Sequence, residues 1–334
     1  MNNKILSLLI AIISMVIISA CSEDETVAPE PESPYWELQY DGDEILSSVN
    51  FTDINNGIVV GWKGTILRTT DGGTTWNKIS SGTTYNLSSI SFANTNNGLI
   101  VGEGGLESEK GIILRTTNGG INWNPVYTGN YNFWAVSFPV ANFAIVTGDY
   151  RNGMYINNIM RTSTNGGSSW NTLLGTPQDE TFVDASFTDL NIGTIVGGSG
   201  RIIRTTNGGS SWINQTSGVL TSGGSLLGVC FTGSNNGLAV GSYGAIVKTT
   251  NGGNTWIKLS SGTTEEFKAV SFTDSNNGTV VGGAGKILKT TDGGTSWTNQ
   301  SISTEKSSID DVYFVDSQNG WIVTGSGRIY RTKN

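Results

Sequence analysis

Short apolar segments alternate with turn-forming clusters of Asn and Gly along the chain from residue 36 onwards. Each repeating unit contains four such segments, which in the second unit are residues 87–92, 98–102, 111–116 and 122–127. A phenylalanine closes the first segment of every unit, at spacings of 41 to 49 residues: Phe51, Phe92, Phe138, Phe187, Phe231, Phe272 and Phe314. A period in the forties with four short strands per unit predicts a β-propeller.

A box of the form S/T-x-D/N-x-G-x-x-W follows the third predicted strand in six of the units. Its Asx and Trp residues are Asp71 and Trp76, Asn118 and Trp123, Asn165 and Trp170, Asn207 and Trp212, Asn251 and Trp256, and Asp292 and Trp297. An amide could not replace a carboxylate so often if the group bound a cation or transferred protons. An Asx side chain that accepts N–H bonds within a turn can be either residue. We therefore interpret the boxes as structural, with the tryptophan covering the outer core.

A basic residue precedes most boxes, namely Arg68, Arg115, Arg204, Lys248, Lys289 and Arg331, with Arg161 offset by one position. We interpret this cationic ring as outer-strand packing and solvation, with anion binding as the alternative. Cys230 takes a strand position that is serine in four other units, which predicts a small buried thiol.

The two ends of the repeat region complement each other. The last unit stops at residues 331–334, where its fourth strand should begin, whereas residues 36–39 form a Trp-led strand with no preceding partners. We therefore predict an all-β, seven-bladed β-propeller of four-stranded blades over residues 36–334. The N-terminal strand around Trp36 completes the last blade, which removes exposed sheet edges.

Composition excludes several classes of protein. The chain of 334 residues contains no histidine, which rules out His-based catalytic triads and His-ligated metals. Its net charge of −8 argues against nucleic-acid binding. The loops at residues 53–57 and 274–278 are rich in Asp and Asn but lack EF-hand spacing, so we expect Asx turns rather than calcium sites. No metal or cofactor is predicted.

The N-terminus has the features of a lipoprotein precursor. A single lysine precedes an apolar run that ends in Ile-Ser-Ala-Cys, and this resembles a bacterial lipobox. The resemblance implies a signal peptide over residues 1–20 and lipidation of Cys21, so the protein meets the membrane only through its lipid anchor.

Residues 21–35 are an acidic tether. Its acidic run resembles the surface-export signal of Bacteroidetes lipoproteins, and a plain solvated linker is the alternative. We expect the protein in the bacterial cell envelope, anchored to the outer membrane and exposed on the surface if the export signal acts.

The repeated boxes resemble the Asp-box, or bacterial neuraminidase repeat, of the sialidase superfamily. The frequent recurrence of units of the type G-x-I-x-R-T-T-[DN]-G-G-x-x-W is most similar to the repeat pattern of the photosystem II stability/assembly factor-like family. The resemblance covers residues 36–334 and implies a seven-bladed, non-enzymatic propeller that assists membrane-protein assembly. Many bacterial proteins with this repeat come from non-photosynthetic lineages, so the family name does not fix the role.

Variable loops mark the face on which we expect a partner to bind. The loops between second and third strands are long in units 2 and 3, at residues 103–110 and 148–155. The candidate partner-binding residues lie on and around these loops. They are Trp62, Tyr85, Tyr131, Trp134, Tyr150 and Arg151, with Glu107 and Glu109 at the rim. Aromatic and arginine residues on loops are typical of interfaces. The alternative is that the aromatic residues cover their own strands.

Three function classes follow from these features. The first, which we favour over the two alternatives, is a monomeric, non-enzymatic module that binds an envelope protein or peptide. The second is a carbohydrate-binding propeller. The third is a glycoside hydrolase of the sialidase or xyloglucanase type, whose two carboxylates would come from Glu103, Asp149, Asp179 or Glu265. A sialidase-type site requires three arginines, and only Arg151 lies clearly in a loop on the variable face. This argues against a site of the sialidase type.

Overall fold

The computed structural model describes residues 33–104, 110–152, 155–173, 181–218 and 224–333. The predicted signal peptide, Cys21, residues 22–32 of the tether, Glu107, Glu109 and Asp179 lie outside these residues, and Arg151 is described only in its backbone. None of the helical segments in the described part has the length and apolar character needed to cross a membrane.

Seven four-stranded antiparallel sheets form the molecule, each with strands A to D from the axis outwards. The A strands are β2 (Leu46–Phe51), β6 (Asn86–Phe92), β10 (Asn132–Val140), β14 (Phe182–Phe187), β18 (Leu226–Phe231), β22 (Phe267–Phe272) and β26 (Ile309–Phe314). The B strands are β3 (Gly57–Gly61), β7 (Gly98–Glu103), β11 (Phe143–Asn152), β15 (Gly193–Gly197), β19 (Gly237–Gly241), β23 (Gly278–Gly282) and β27 (Gly320–Thr324). The C strands are β4 (Ile66–Thr69), β8 (Gly111–Thr116), β12 (Tyr155–Ser163), β16 (Arg201–Thr205), β20 (Ala245–Thr249), β24 (Ile287–Thr290) and β28 (Arg328–Thr332). The D strands are β5 (Asn77–Lys78), β9 (Asn124–Gly129), β13 (Asn171–Thr172), β17 (Ile213–Thr216), β21 (Ile257–Leu259), β25 (Thr298–Asn299) and β1 (Trp36–Asp41).

We number the blades 1 to 7 in the order of their A strands. Short 3-10 turns join B to C in four blades: Trp62–Gly64, Gly198–Gly200, Ser242–Gly244 and Gly283–Gly285. The seven-bladed fold predicted from the repeats is confirmed.

Ring closure also follows the prediction. Strand β1 pairs with β28, from Trp36 opposite Thr332 to Asp41 opposite Arg328. Trp36 therefore supplies to blade 7 the tryptophan that the boxes supply elsewhere. Its ring meets Phe314 edge-on at 6.1 Å, as the Trp76 ring meets Phe51 at 6.0 Å in blade 1.

The hydrophobic core lies between adjacent blades. The large residue that begins each predicted A strand is essentially inaccessible to solvent: Leu46, Leu87, Phe133, Phe182, Leu226, Phe267 and Ile309. Phe133 of blade 3, for example, packs with Leu99 and Val101 of blade 2. The B strands, such as Gly57–Gly61, are therefore largely apolar, because each sheet is covered on both faces.

The hydrogen bonds of the box turns explain why either Asp or Asn can occupy the same box position. In blade 1 the Asp71 carboxylate accepts the Thr75 N–H at 2.9 Å and the Thr75 hydroxyl at 2.6 Å. In blade 5 the Asn251 carbonyl oxygen accepts the Thr255 N–H at 3.0 Å, and its amide donates to the Thr255 hydroxyl at 2.9 Å. The hydroxyl donates in one case and accepts in the other, so either side chain closes the same turn. The structural interpretation of the boxes holds.

The cationic ring has a more specific role than packing and solvation. Five of its members donate to a backbone carbonyl of the next blade: Arg68 to Gly119, Arg115 to Gly166, Arg204 to Ser234, Lys248 to Gly293 and Lys289 to Ser317. The side chains therefore connect neighbouring blades. Arg161 is offset by one residue, which turns it to the opposite side of its strand. Its guanidinium lies 4.4 Å from the centre of the Tyr127 ring of blade 2.

Candidate functional site

The two faces of the ring are built from different connections. On the first, which we call the loop face, B–C turns bond to D–A loops, as where the Gly64 N–H donates to Tyr85 O at 2.7 Å. On the other, the box face, A–B turns bond to box turns, as where the Gly72 N–H donates to Asn55 O at 2.9 Å. The A–B turns are Asx turns, since the Asp53 carboxylate accepts the N–H groups of Asn55 and Asn56 at 2.8 and 2.9 Å. The predicted Asx turns are thus confirmed.

A cavity of about 290 Å³ lies on the axis, lined by residues from the A strands of all seven blades. Each A strand carries a β-bulge directly after its large first residue, as the pairing registers show. The bulged residues, which we call the bulge positions, are Ser47, Ser88, Trp134, Val183, Leu227, Lys268 and Asp310. The residues that follow, the channel positions, are Ser48, Ser89, Ala135, Asp184, Gly228, Ala269 and Asp311. A bulge re-aims side chains, and since each A strand starts at the loop face, the cavity lies at that end of the axis.

Two channel positions hold carboxylates, Asp184 in blade 4 and Asp311 in blade 7. One Asp311 oxygen accepts the Val49 N–H at 2.9 Å and the Ser48 hydroxyl at 2.8 Å, both from blade 1. One Asp184 oxygen accepts the Val229 N–H of blade 5 at 2.8 Å. The two residues are three blades apart, so their carboxylates approach the axis from nearly opposite sides.

Serine makes the same type of inter-blade bond at two other channel positions. The Ser48 hydroxyl accepts the Ile90 N–H at 3.4 Å, and the Ser89 hydroxyl accepts the Val136 N–H at 3.3 Å. A neutral hydroxyl is therefore sufficient to join neighbouring A strands. The negative charges of Asp184 and Asp311 are not needed for this bond.

Burial makes these charges costly. It raises the pKa of Asp311 to about 7, and hydrogen bonds from Val49 and Ser48 offset only part of the effect. The charge of Asp184 raises the pKa of Asp311 slightly further. Burial likewise raises the pKa of Asp184. Both side chains are largely enclosed by protein, so the charged form of each is disfavoured.

The mouth of the cavity contains a lysine and a tryptophan, both at bulge positions. The Lys268 ammonium lies 2.5 Å from an Asp310 oxygen and 3.1 Å from the Ser308 hydroxyl. The Trp134 indole N–H donates to Asp149 at 2.7 Å, which fixes the ring at the cavity wall. The mouth thus combines a paired cation with an immobilised aromatic ring.

The blade 3 insertion extends the sheet beyond the other blades. Strands β11 and β12 pair from Ala144 opposite Ser163 to Asn152 opposite Tyr155. Tyr150 on this hairpin meets Tyr131 edge-on at 5.6 Å between ring centres, and Tyr131 stacks on Tyr127 at 6.2 Å. Tyr131 and Tyr150 also pack against the core between blades 2 and 3, so these rings partly cover their own strands.

Trp62 and Tyr85 lie on two adjoining segments of the same face, which the Gly64 N–H bond to Tyr85 O connects. Trp62 is 45% exposed in the B–C turn of blade 1. Tyr85 precedes the A strand of blade 2 and packs partly on the core between blades 1 and 2. The structure thus brings Tyr131 and Tyr150 together and places Trp134 in the axial cavity. Sequence reasoning did not single out Asp184, Lys268, Asp310 or Asp311, although acidic residues at two of seven equivalent strand positions were a visible signal.

Three of the four candidate catalytic carboxylates lie in the described part of the chain, and each is on a different blade. Asp149 is buried and accepts bonds from Trp134 and, at 3.1 Å, from Asn132. Glu103 accepts from Asn86 at 3.0 Å, and Glu265 is exposed on blade 6. These residues belong to blades 3, 2 and 6. Among the described residues, no group of three or more His, Cys, Asp or Glu side chains could hold a metal ion.

Fold and cavity together define the class of protein: a seven-bladed β-propeller whose candidate binding site lies at the axis on the loop face. The chain belongs to the photosynthesis system II assembly factor YCF48 family, which matches residues 28–132, 161–259 and 215–334. The resemblance inferred from the repeats is confirmed. Assembly-factor membership and a propeller fold support a protein-binding module.

Solved structures show the same fold. "YCF48 bound to D1 peptide" aligns with a TM-score of 0.70 at 22% identity, over 90% of this chain and 97% of that chain. YCF48 from Cyanidioschyzon merolae aligns with a TM-score of 0.69 at 18% identity, over 89% of this chain and 98% of that chain. The GH74 enzyme of Niastella koreensis aligns with a TM-score of 0.67 at 15% identity, over 89% of this chain but only 53% of that one. A comparison with curated protein sequences gives no match.

Proposed function

We propose that this protein is a non-enzymatic, monomeric lipoprotein of the cell envelope that binds a peptide segment of a partner protein on its loop face. Membership of an assembly-factor family supports a protein partner, and one relative of the same fold is described as bound to a D1 peptide. The observation that carries the proposal is the axial cavity on the loop face, beside the blade 3 hairpin. Clefts with a few convergent polar groups are the usual ligand sites of such folds.

Exposed aromatic residues on the loop face support contact with a partner. Trp62 and Tyr243 are 45% and 67% exposed in the B–C turns of blades 1 and 5. Tyr243 also adopts a left-handed backbone, with φ of 60°. The middle residues of the other three 3-10 turns, Lys63, Ser199 and Ala284, adopt the same conformation, so it belongs to the turn itself and presents the Tyr243 ring to solvent. Rigid aromatic side chains supply much of the binding energy at protein interfaces.

A glycan-active role has less support. The likeness to the GH74 enzyme concerns the fold, and fold alone does not assign activity. Asp149, one of the four candidate carboxylates, already has two side-chain donors and holds Trp134 in place. Its geometry fits a positioning role at the cavity wall better than proton transfer.

Photo-crosslinking tests the proposed face. A benzophenone amino acid is placed at Trp62 on the loop face, and at Ile121 of a box turn, 54% exposed, as the control. In living cells we expect the loop-face probe to crosslink to a defined segment of an envelope protein, identified by mass spectrometry, and the control to give no such adduct. Tyr150→Ala with Arg151→Ala should reduce the adduct. Equal labelling from both faces would contradict the proposal, and glycan hydrolysis by the purified protein would replace it.

A further inference from the structure

The axial cavity has more negative charge than its structure requires. Three carboxylates line it, Asp184, Asp310 and Asp311, against the single ammonium of Lys268, which Asp310 already holds. Serine makes the same type of inter-blade bond at two equivalent channel positions, at 3.4 and 3.3 Å. The charges of Asp184 and Asp311 are therefore uncompensated within the cavity and are not explained by ring closure. Their burial costs free energy, which a positively charged occupant would offset.

We propose that the cavity selects partner peptides through a lysine or arginine side chain, which enters the channel and pairs with Asp184 and Asp311. This inference rests on the proposed peptide-binding function and specifies its partner. The carboxylates reach the axis from nearly opposite walls, so a cationic head group on the axis lies between two negative charges. The fixed Trp134 ring at the wall offers an apolar surface to the aliphatic stem, and cationic side chains favour aromatic neighbours.

The dimensions favour an organic cation over a bare metal ion. A metal ion requires several oxygen ligands at short distances from one another. The cavity has a volume of about 290 Å³, and the two carboxylates that have no paired cation come from opposite sides. The mouth already holds one ammonium group, since Lys268 contacts Asp310 and Ser308 at 2.5 and 3.1 Å. The same chemistry, a carboxylate with a serine hydroxyl, recurs deeper in the channel at Asp311 and Ser48.

Selection from a random peptide library provides the test. A displayed library of random twelve-residue peptides is panned against the full-length wild-type protein. The same library is panned against Asp184→Ser with Asp311→Ser. These substitutions reproduce the serine found at two other channel positions, Ser48 and Ser89, so the inter-blade bonds should persist. We expect lysine or arginine at one fixed position of the wild-type binders, and no such enrichment with the double variant.

A matched control removes two charges from the box face. Asp53→Asn with Asp274→Asn should leave the selection unchanged, because Asn94 already forms the same Asx turn in blade 2, accepting the N–H groups of Asn96 and Asn97. Replacing the basic residue of a selected peptide by Gln tests the wild-type protein without any mutation. This change should weaken binding by about tenfold or more, as paired charges at interfaces do.

The possible results separate the inference from the function on which it rests. Peptides that bind the loop face without a basic residue would overturn the inference and leave the proposed function intact. A complete lack of peptide binding would count against both. Calcium or magnesium binding that is measured by calorimetry and lost in the double serine variant would assign the cavity to a metal ion and overturn the inference. Undiminished binding of lysine-containing peptides to that variant would also overturn it.

Discussion

The indole of Trp36, in the first strand of the propeller, packs edge-on against Phe314, in the inner strand of the last blade. Its side chain is 2% exposed and belongs to the core between blades 6 and 7. Trp36, at the start of the propeller, therefore completes a core that is otherwise formed by residues of the last two blades. The first and last strands of the propeller thus belong to one sheet.

Loss of this contact should destabilise the closed ring. We expect Trp36→Ala to lower the free energy of unfolding by about 3–5 kcal/mol, because a large buried ring leaves a cavity. The exposed neighbour provides the control, and Glu37→Ala should change stability by less than about 0.5 kcal/mol. Urea unfolding followed by tryptophan fluorescence measures both variants. Equal midpoints for the two would show that β1 does not contribute to blade 7 in solution.

The inter-blade role of the basic residues is tested best at Arg204, which is 7% exposed. Its guanidinium donates to Ser234 O at 2.5 Å and to the Thr194 hydroxyl at 2.9 Å. Arg204→Ala should cost about 2–3 kcal/mol of stability, since a charged donor is lost and the buried Thr194 hydroxyl is left without it. Arg204→Lys should recover much of the loss, because Lys289 makes the corresponding bond to Ser317 O of the next blade at 3.0 Å. A lysine variant as unstable as the alanine variant would argue against this bond.

Asp71 should tolerate asparagine but respond to acid. Hydrogen bonds from the Thr75 hydroxyl and N–H hold the pKa of Asp71 at about 2, below its ordinary value of 3.8. A carboxyl with a lowered folded pKa contributes stability above the unfolded pKa, and this contribution is lost as pH falls from about 4 to about 2. Asp71→Asn should therefore be nearly neutral at pH 7 and lose less stability in acid than the wild type. Thermal melts across this pH range compare the two, and Asp71→Ala, which lacks the acceptor, should be less stable than either at pH 7.

Asp311 should show the opposite dependence on pH. Its folded pKa is raised to about 7, so the folded state retains a proton that the unfolded chain has released. Its contribution to stability is fully present below the unfolded pKa of about 3.8 and is lost as pH rises through about 7. Asp311→Ser should therefore gain stability relative to the wild type as pH rises, by about 1–3 kcal/mol at pH 8. Urea midpoints at pH 5 and pH 8 test this, and a constant difference between the proteins would refute it.

The lipid anchor remains a prediction from the sequence motif at residues 18–21. Cys21→Ser should leave an unprocessed precursor without acyl chains, because the thiol is the acceptor. Metabolic labelling with a palmitate analogue, followed by membrane fractionation, measures the outcome. Normal processing and retention of the serine variant on the membrane would contradict the lipoprotein assignment. Deletion of residues 22–32 should leave the melting temperature unchanged.

The repeat pattern determined the architecture to a large extent. Phe51 and its six equivalents marked the A strands, the boxes marked the C–D turns, and the orphan Trp36 strand indicated how the ring closes. The interchange of Asp71 with Asn251 identified the boxes as turns rather than as chemical sites. These features follow from local rules of strand alternation, turn chemistry and spacing, which are written in short stretches of sequence.

Only the tertiary structure decided where the candidate site lies. Asp184 and Asp311 are 127 residues apart in the sequence, and each resembles an ordinary polar residue of an inner strand. The ring brings them to opposite walls of one cavity, and the bulge in each A strand turns its side chains towards the axis. Trp134 likewise lines this cavity, although the sequence placed it on the loop surface. Distances across a closed ring depend on the packing of all seven blades, and no local pattern in the sequence encodes them.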